Sequence, residues 1–315
     1  VMTAGLFPLI HIGRVWYSYW LIPYPNQREL WVNFRSPLLW DVFAVSTYFT
    51  VSVIFFYVGM VPDLAIVRRR STGIRRTIYG ILSLGWNGTQ KQWKHYQQIC
   101  LFLAAFATPL VVSVHSVVSW DFAMSIVPGW HTTIFAPYFV AGAIFSGTAM
   151  VVTLVVVMRK LCNLERYITV DHFEKIAKIL LFTSLIVGYS YAVELALAFW
   201  SGHGPDIEVF TYRMFGDYAI CYWLMVSCNV FLPLTLFVKR LRRSILWLFI
   251  LSIFVNVGMW LERFVIVVTS LARDHNPHTW GTYTPSLVEI GITLGSFGMF
   301  FTLFLLFVKT LPILS

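Results

Sequence analysis

Charge is scarce in this chain. Only 12% of its 315 residues are Asp, Glu, Lys or Arg, while 58% are hydrophobic and the mean hydropathy is +0.73. That balance excludes a soluble globular domain and places the chain in a membrane. Cysteine is nearly absent too. Cys100, Cys162, Cys221 and Cys228 form no C-x-x-C pair, no C-x-x-C-H haem attachment and no iron–sulfur spacing, so no cluster or c-type haem is expected in the chain itself. A b-type haem requires two facing intramembrane histidines, for which only His11 and His115 qualify; this is the minor reading. No basic run is interleaved with stacking aromatics, so a nucleic-acid partner is not expected.

What is present is a series of long apolar runs. Windows at 38–61, 98–120, 133–158, 175–200, 214–238, 245–271 and 285–309 each suffice to cross ~30 Å of hydrocarbon as a helix. The window from Val1 to Ile12 is too short to cross and opens without an initiator Met or a signal-peptide pattern. It reads as the tail of a helix that starts upstream, and the chain as a fragment of a longer polypeptide.

The bases set an orientation. The loops 62–97, 159–178 and 239–243, with Lys309, carry 17 of the 23 Lys and Arg residues, which predicts that they face the cytoplasm. The net charge of +9 is on this reading a topology signal. In the same orientation Asp41, Asp121, Glu194, Asp217, Glu262 and Glu289 all fall toward the outer side, with His11 and His115 at similar depth. An ionisable group in lipid costs at least ~2.5 kcal/mol, so this cluster predicts a site for protons, ions or a redox ligand. Glu194 with Tyr191, and Glu289, each alone in an apolar run, are proton-relay candidates. Glu262 beside Arg263 reads equally as an ion pair or as part of a proton path. Asp217 near Arg213 reads as a helix-end pair, Asn256 and Ser252 as interhelical hydrogen bonds, and Gly142–Ser146 and Gly291–Gly295 as close helix contacts. Asp41 has two readings, a site residue or a cap for a helix beginning near Leu38. The segment from Asp121 to Pro137 needs a tight turn at Pro128-Gly129, and the aromatics around the first outer loop suit an interfacial belt or a wall for a flat ring.

The runs LFPLIHIGRVWYSYWLIPYPN, RSPLLWDVFAVSTY, SVHSVVSWDFAMSIVPGWHTTIFAPYFVAGAIFSG and NVGMWLERFVIVVTSLARDHNPHTWGTY together resemble the polysulfide-reductase NrfD-like membrane subunits. More narrowly, they resemble the C-type membrane subunit of alternative complex III, a quinol:electron acceptor oxidoreductase. Val15 departs from the pattern, since many relatives place Pro after the Arg.

The resemblance implies an all-α polytopic membrane protein of two four-helix bundles plus flanking spans, in the inner membrane of a bacterium. Residues 1–120 would be the remainder of the first bundle with the quinol site, 121–132 an outer interfacial segment, 133–271 the second four-helix bundle, and 272–315 an outer loop and the last span. A quinol or menaquinol would bind near the outer face at His11, Arg14, Asp41, His115 and Asp121. The implied partners are a peripheral iron–sulfur subunit on the outer face, a homologous membrane subunit, multihaem cytochrome c subunits, a terminal oxidase and lipid, with haem and iron–sulfur clusters held by those partners.

The chemistry needs these residue types. Quinol oxidation releases two electrons and two protons, and a His with an unperturbed pKa of ~6.5, oriented by a carboxylate, suits the base; His11 and Asp41 are the catalytic candidates. Asp121, Tyr191, Glu194, Glu262 and Glu289 are candidates for passing protons onward, for release on the outer side or translocation. Two alternatives stand beside this: a scaffold or proton-path sister subunit of the same complex, and a secondary transporter whose carboxylates hold a coupling ion.

Overall fold

The computed structural model describes residues 14–311, and the described chain is helical with no strand. Seven of its helices are long and apolar enough to cross a membrane, one for each window read from the sequence. We number them with the two shorter helices between them: α1 (Pro37–Arg70), α2 (Gly73–Leu82), α3 (Gln90–Ala123), α4 (Phe135–Leu161), α5 (Val170–Ser201), α6 (Gly204–Phe215), α7 (Ala219–Phe237), α8 (Ile245–Ala272) and α9 (Leu287–Thr310). Helix is the only open-ended structure that satisfies its own backbone hydrogen bonds in lipid, and the ends are set by local signals. Pro37 opens α1, Thr169 and His172 form a capping box at α5, and Gly202 ends that helix in the left-handed conformation at φ 65°.

The helices fall into two compact units, one built from the described residues up to Val114 with those from Thr284 onward, the other from His115 to Tyr283. The last span therefore groups with the first helices, whereas the sequence reading set 272–315 apart. In the first unit the Tyr79 hydroxyl donates to the Thr310 carbonyl at 2.9 Å and the Tyr57 hydroxyl to Leu82 O at 2.8 Å, which fastens α2 to α9 and α1.

In the second unit α4, α5 and α8, with Leu236 of α7, enclose a core that includes Phe135, Phe145, Phe173, Leu180, Leu248 and Val255. Small residues set the helix spacing. A Cβ on Gly258 would collide with Asn229 Oδ1 and lie 2.6 Å from Cys228 Cβ, so α7 and α8 touch through a glycine that admits no side chain. Asn256 Nδ2 donates to Thr153 Oγ1 at 3.2 Å, and Thr153 and Ser252 hydroxyls meet at 2.8 Å, as the sequence reading expected.

Both α7 and α8 contain a π-helical turn, at Ser227–Phe231 and Val265–Thr269. Such turns loosen the regular ladder and free carbonyls for other donors. Side chains from other parts of the unit take them: Ser184 Oγ donates to Asn229 O at 2.8 Å, and the Trp130 indole N–H to Ile266 O at 2.7 Å.

Candidate functional site

Two buried polar groupings sit inside the second unit, next to those π-helical turns. In the first, Arg213 on α6 is 2% exposed and Glu194 on α5 is 7% exposed; Arg213 Nη1 donates to Glu194 Oε1 at 3.2 Å. The remaining guanidinium hydrogens are also directed: Nε to Thr269 Oγ1 at 2.7 Å and Nη2 to Ser270 Oγ at 2.8 Å. A buried ion pair is retained only when its geometry is good and further hydrogen bonds complete it, and here the π turn of α8 presents two hydroxyls to do so. The connecting segment closes over it. Gly129, at φ 76°, has its missing Cβ position 3.1 Å from both Arg213 Nη2 and Ser270 Oγ, and its N–H donates to Asp206 Oδ1 at 2.8 Å.

In the second grouping the Tyr191 hydroxyl donates to Glu262 Oε2 at 2.5 Å and accepts from Asn229 Nδ2 at 2.9 Å. Glu262 is fully buried. Its other oxygen accepts no hydrogen bond among the described residues and faces Arg263 Nη2 at 3.5 Å, while the Arg263 guanidinium lies over the Phe139 ring at 3.9 Å. Between the two groupings is a cavity of about 20 Å³ lined by residues that include Tyr138, Tyr191, Glu194, Arg213 and Tyr222. That volume holds one water, and its lining is polar enough to bind it.

The sequence-derived candidates are distributed as follows. His11 lies outside the described residues. Arg14 is exposed, and Asp41 is half-buried in α1, both in the first unit; His115 and Asp121 are half-buried on α3 and belong to the second. The capping reading of Asp41 does not hold: α1 starts at Pro37 with Ser36 as its N-cap, and its first turn contains no acid. Asp121 lies in the last turn of α3, and its Oδ1 is buried without a hydrogen-bond partner among the described residues.

Three pairings differ from the sequence reading. Asp217 accepts from the Tyr212 hydroxyl at 3.0 Å and does not take Arg213, which α6 turns inward to Glu194. Tyr191 serves Glu262 and not Glu194, because the phenol one turn before Glu194 points to α8. Glu289, placed alone in an apolar run, forms an exposed capping box with Ser286: Ser286 N–H donates to Glu289 Oε2 at 2.6 Å. Arg213, Asn229 and Tyr138 were missed. For Arg213 a signal existed, since Val209, Phe210, Tyr212 and Arg213, all buried, follow the helical spacing of a packed face.

Beyond the spans, Tyr212 has its phenol pushed up to about 12 by burial first and by its hydrogen bond to Asp217 second, with Arg273 opposing. Arg273 lies over its ring at 3.9 Å. Among the described residues no group of three or more His, Cys, Asp or Glu side chains is arranged to hold a metal ion.

The architecture is that of a polytopic α-helical membrane protein with ionisable side chains buried in its spans. A family model described as "Polysulphide reductase, NrfD" matches residues 1–273; the chain belongs to that family. A relative from Halobacterium salinarum, which bears the name "Putative dimethyl sulfoxide reductase membrane subunit" with the C-type designation, is 27% identical over 319 residues, an alignment that covers 94% of this chain and 68% of that protein.

Proposed function

We propose that this NrfD-family membrane subunit of a redox complex oxidises quinol, in an assembly of the alternative complex III type, and passes the electrons to an iron–sulfur partner on the outer face. The observation that carries the reading is Asp121. A carboxylate oxygen buried without a partner among the described residues is suited to accept a hydrogen bond from a substrate hydroxyl and then its proton. His11, Asp41 and His115 complete the proposed set, with Arg14 at its rim and His11 as the base. Each quinol gives up two electrons and two protons; the carboxylates orient the base and carry the protons to the outer water. The named relative is a reductase membrane subunit. A membrane-bound reductase likewise draws electrons from a lipid-soluble donor, so the same step serves either complex and the final acceptor distinguishes them.

The experiment is photo-crosslinking of the intact complex with an azido-quinone, mapped by peptide mass spectrometry. Labels within 1–41 or 115–131 support the site; labels confined to another subunit refute it.

Proton passage through the second unit is a second reading, supported by the cavity that separates the Glu194–Arg213 pair from the Tyr191–Glu262 pair. One water there would join two carboxylates through a phenol, the arrangement a proton relay requires. Glu289, in its exposed cap, is a weaker member of such a relay than Glu194 or Glu262.

A further inference from the structure

The first unit has a second built feature, at the basic end of α1. From Leu64 to Trp120 the sequence contains no acid, while Arg68, Arg69, Arg70, Arg75, Arg76, Lys91 and Lys94 all fall in this stretch. Arg68, Arg69, Arg76 and Thr77 line an open groove of about 460 Å³ where α1 gives way to α2. Two of these arginines are held in place. Arg68 donates to Ser83 Oγ at 3.2 Å and to Trp86 O at 3.3 Å, and Arg69 Nη2 to Asn87 O at 3.5 Å; the stem of Arg68 passes Gly80, whose missing Cβ would sit 3.7 Å from its Cδ. No carboxylate is among these partners, so the positive charge of the groove is not neutralised by them.

Beside the groove, α2 is amphipathic. Ile74, Ile78 and Ile81 are exposed at i, i+4 and i+7, which puts them on one face, while Tyr79 holds the helix to α9. A basic groove bordered by an apolar helix face at the end of a span matches one class of ligand, an acid headgroup carrying hydrocarbon chains. We propose that this groove binds the phosphodiester headgroup of an anionic phospholipid, with its acyl chains along the isoleucine face of α2. Guanidinium forks suit phosphate oxygens, and the Thr77 hydroxyl adds a donor.

The test is native mass spectrometry of the intact, delipidated complex titrated separately with phosphatidylglycerol, phosphatidylcholine and inorganic phosphate. Phosphatidylglycerol is expected to be retained in preference to phosphatidylcholine. Arg69→Gln with Arg76→Gln is expected to weaken it roughly 30-fold, from two arginine contacts, and Arg240→Gln to leave it unchanged. Thr77→Trp, which keeps both charges and fills the groove, is expected to give a comparable loss. Equal retention of phosphatidylcholine, unchanged binding in these variants, an equal loss in Arg240→Gln, or full displacement by inorganic phosphate would each overturn the proposal, the last by making it a free oxyanion site. The readout is lipid occupancy and is independent of quinol chemistry.

Discussion

Arg213 and Glu194 meet at 3.2 Å from two different helices, buried on all sides, and neither is satisfied by the other alone. Thr269 and Ser270, delivered by the π-helical turn of α8, complete the guanidinium, so four elements of sequence converge on one charge pair.

Removing one side of that pair leaves the other charge buried. Arg213→Met is therefore predicted to destabilise the unit by about 3–5 kcal/mol, whereas Glu194→Gln, which keeps a hydrogen-bond acceptor for Arg213, costs less. Thermal unfolding of the purified complex in detergent orders the two variants; equal stability of wild type and Arg213→Met would contradict the pairing.

Gly258→Ala tests the contact of α7 with α8. The added methyl would collide with Asn229 Oδ1 and meet Cys228 Cβ at 2.6 Å, and overpacking of this kind costs about 1–3 kcal/mol. Reduced assembly yield and a lower unfolding temperature are expected, while Gly147→Ala, with nothing within 4 Å of the added methyl, leaves both unchanged.

Tyr191→Phe removes the hydroxyl that joins Asn229 to Glu262. The orphaned buried acceptor costs about 1–3 kcal/mol. If protons pass this way, proton translocation per electron falls in proteoliposomes while quinol oxidation persists; an unaltered ratio would remove the second reading.

Tyr212 supplies a pH signature. Its phenol titrates near 12 in the folded chain, above its ordinary value of 10.0, so folding favours the protonated form. The contribution is fully present below pH 10 and is lost as pH rises toward 12. Ultraviolet difference titration is predicted to show one late phenolate that Tyr212→Phe abolishes.

The seven spans were legible because hydropathy alone marks them, and each window became a helix. The site was legible in residue type more than in pairing. Asp217 and Arg213 are four apart and invite a pair, yet the buried face of α6 sends Arg213 to Glu194, a contact between helices that no local spacing encodes. The Ser286–Glu289 box was readable as a capping signature and was obscured by the apolar run that follows it. The amphipathic α2 lay inside a loop judged by its charge, although the isoleucine spacing was present. The π-helical turns, which direct Asn229 and Thr269 inward, have no marker in the sequence that we recognise.

The central claim is that quinol is oxidised at the set containing His11, Asp41 and Asp121. Quinol-dependent reduction of an artificial acceptor by the intact complex tests it most directly, with His11→Ala, Asp41→Asn and Asp121→Asn compared at equal assembly and equal cofactor content. The account predicts a loss of about 10²-fold or more in His11→Ala, the scale of a general base, and a clear fall in both aspartate variants. Wild-type rates in all three would contradict it and move quinol oxidation to another subunit.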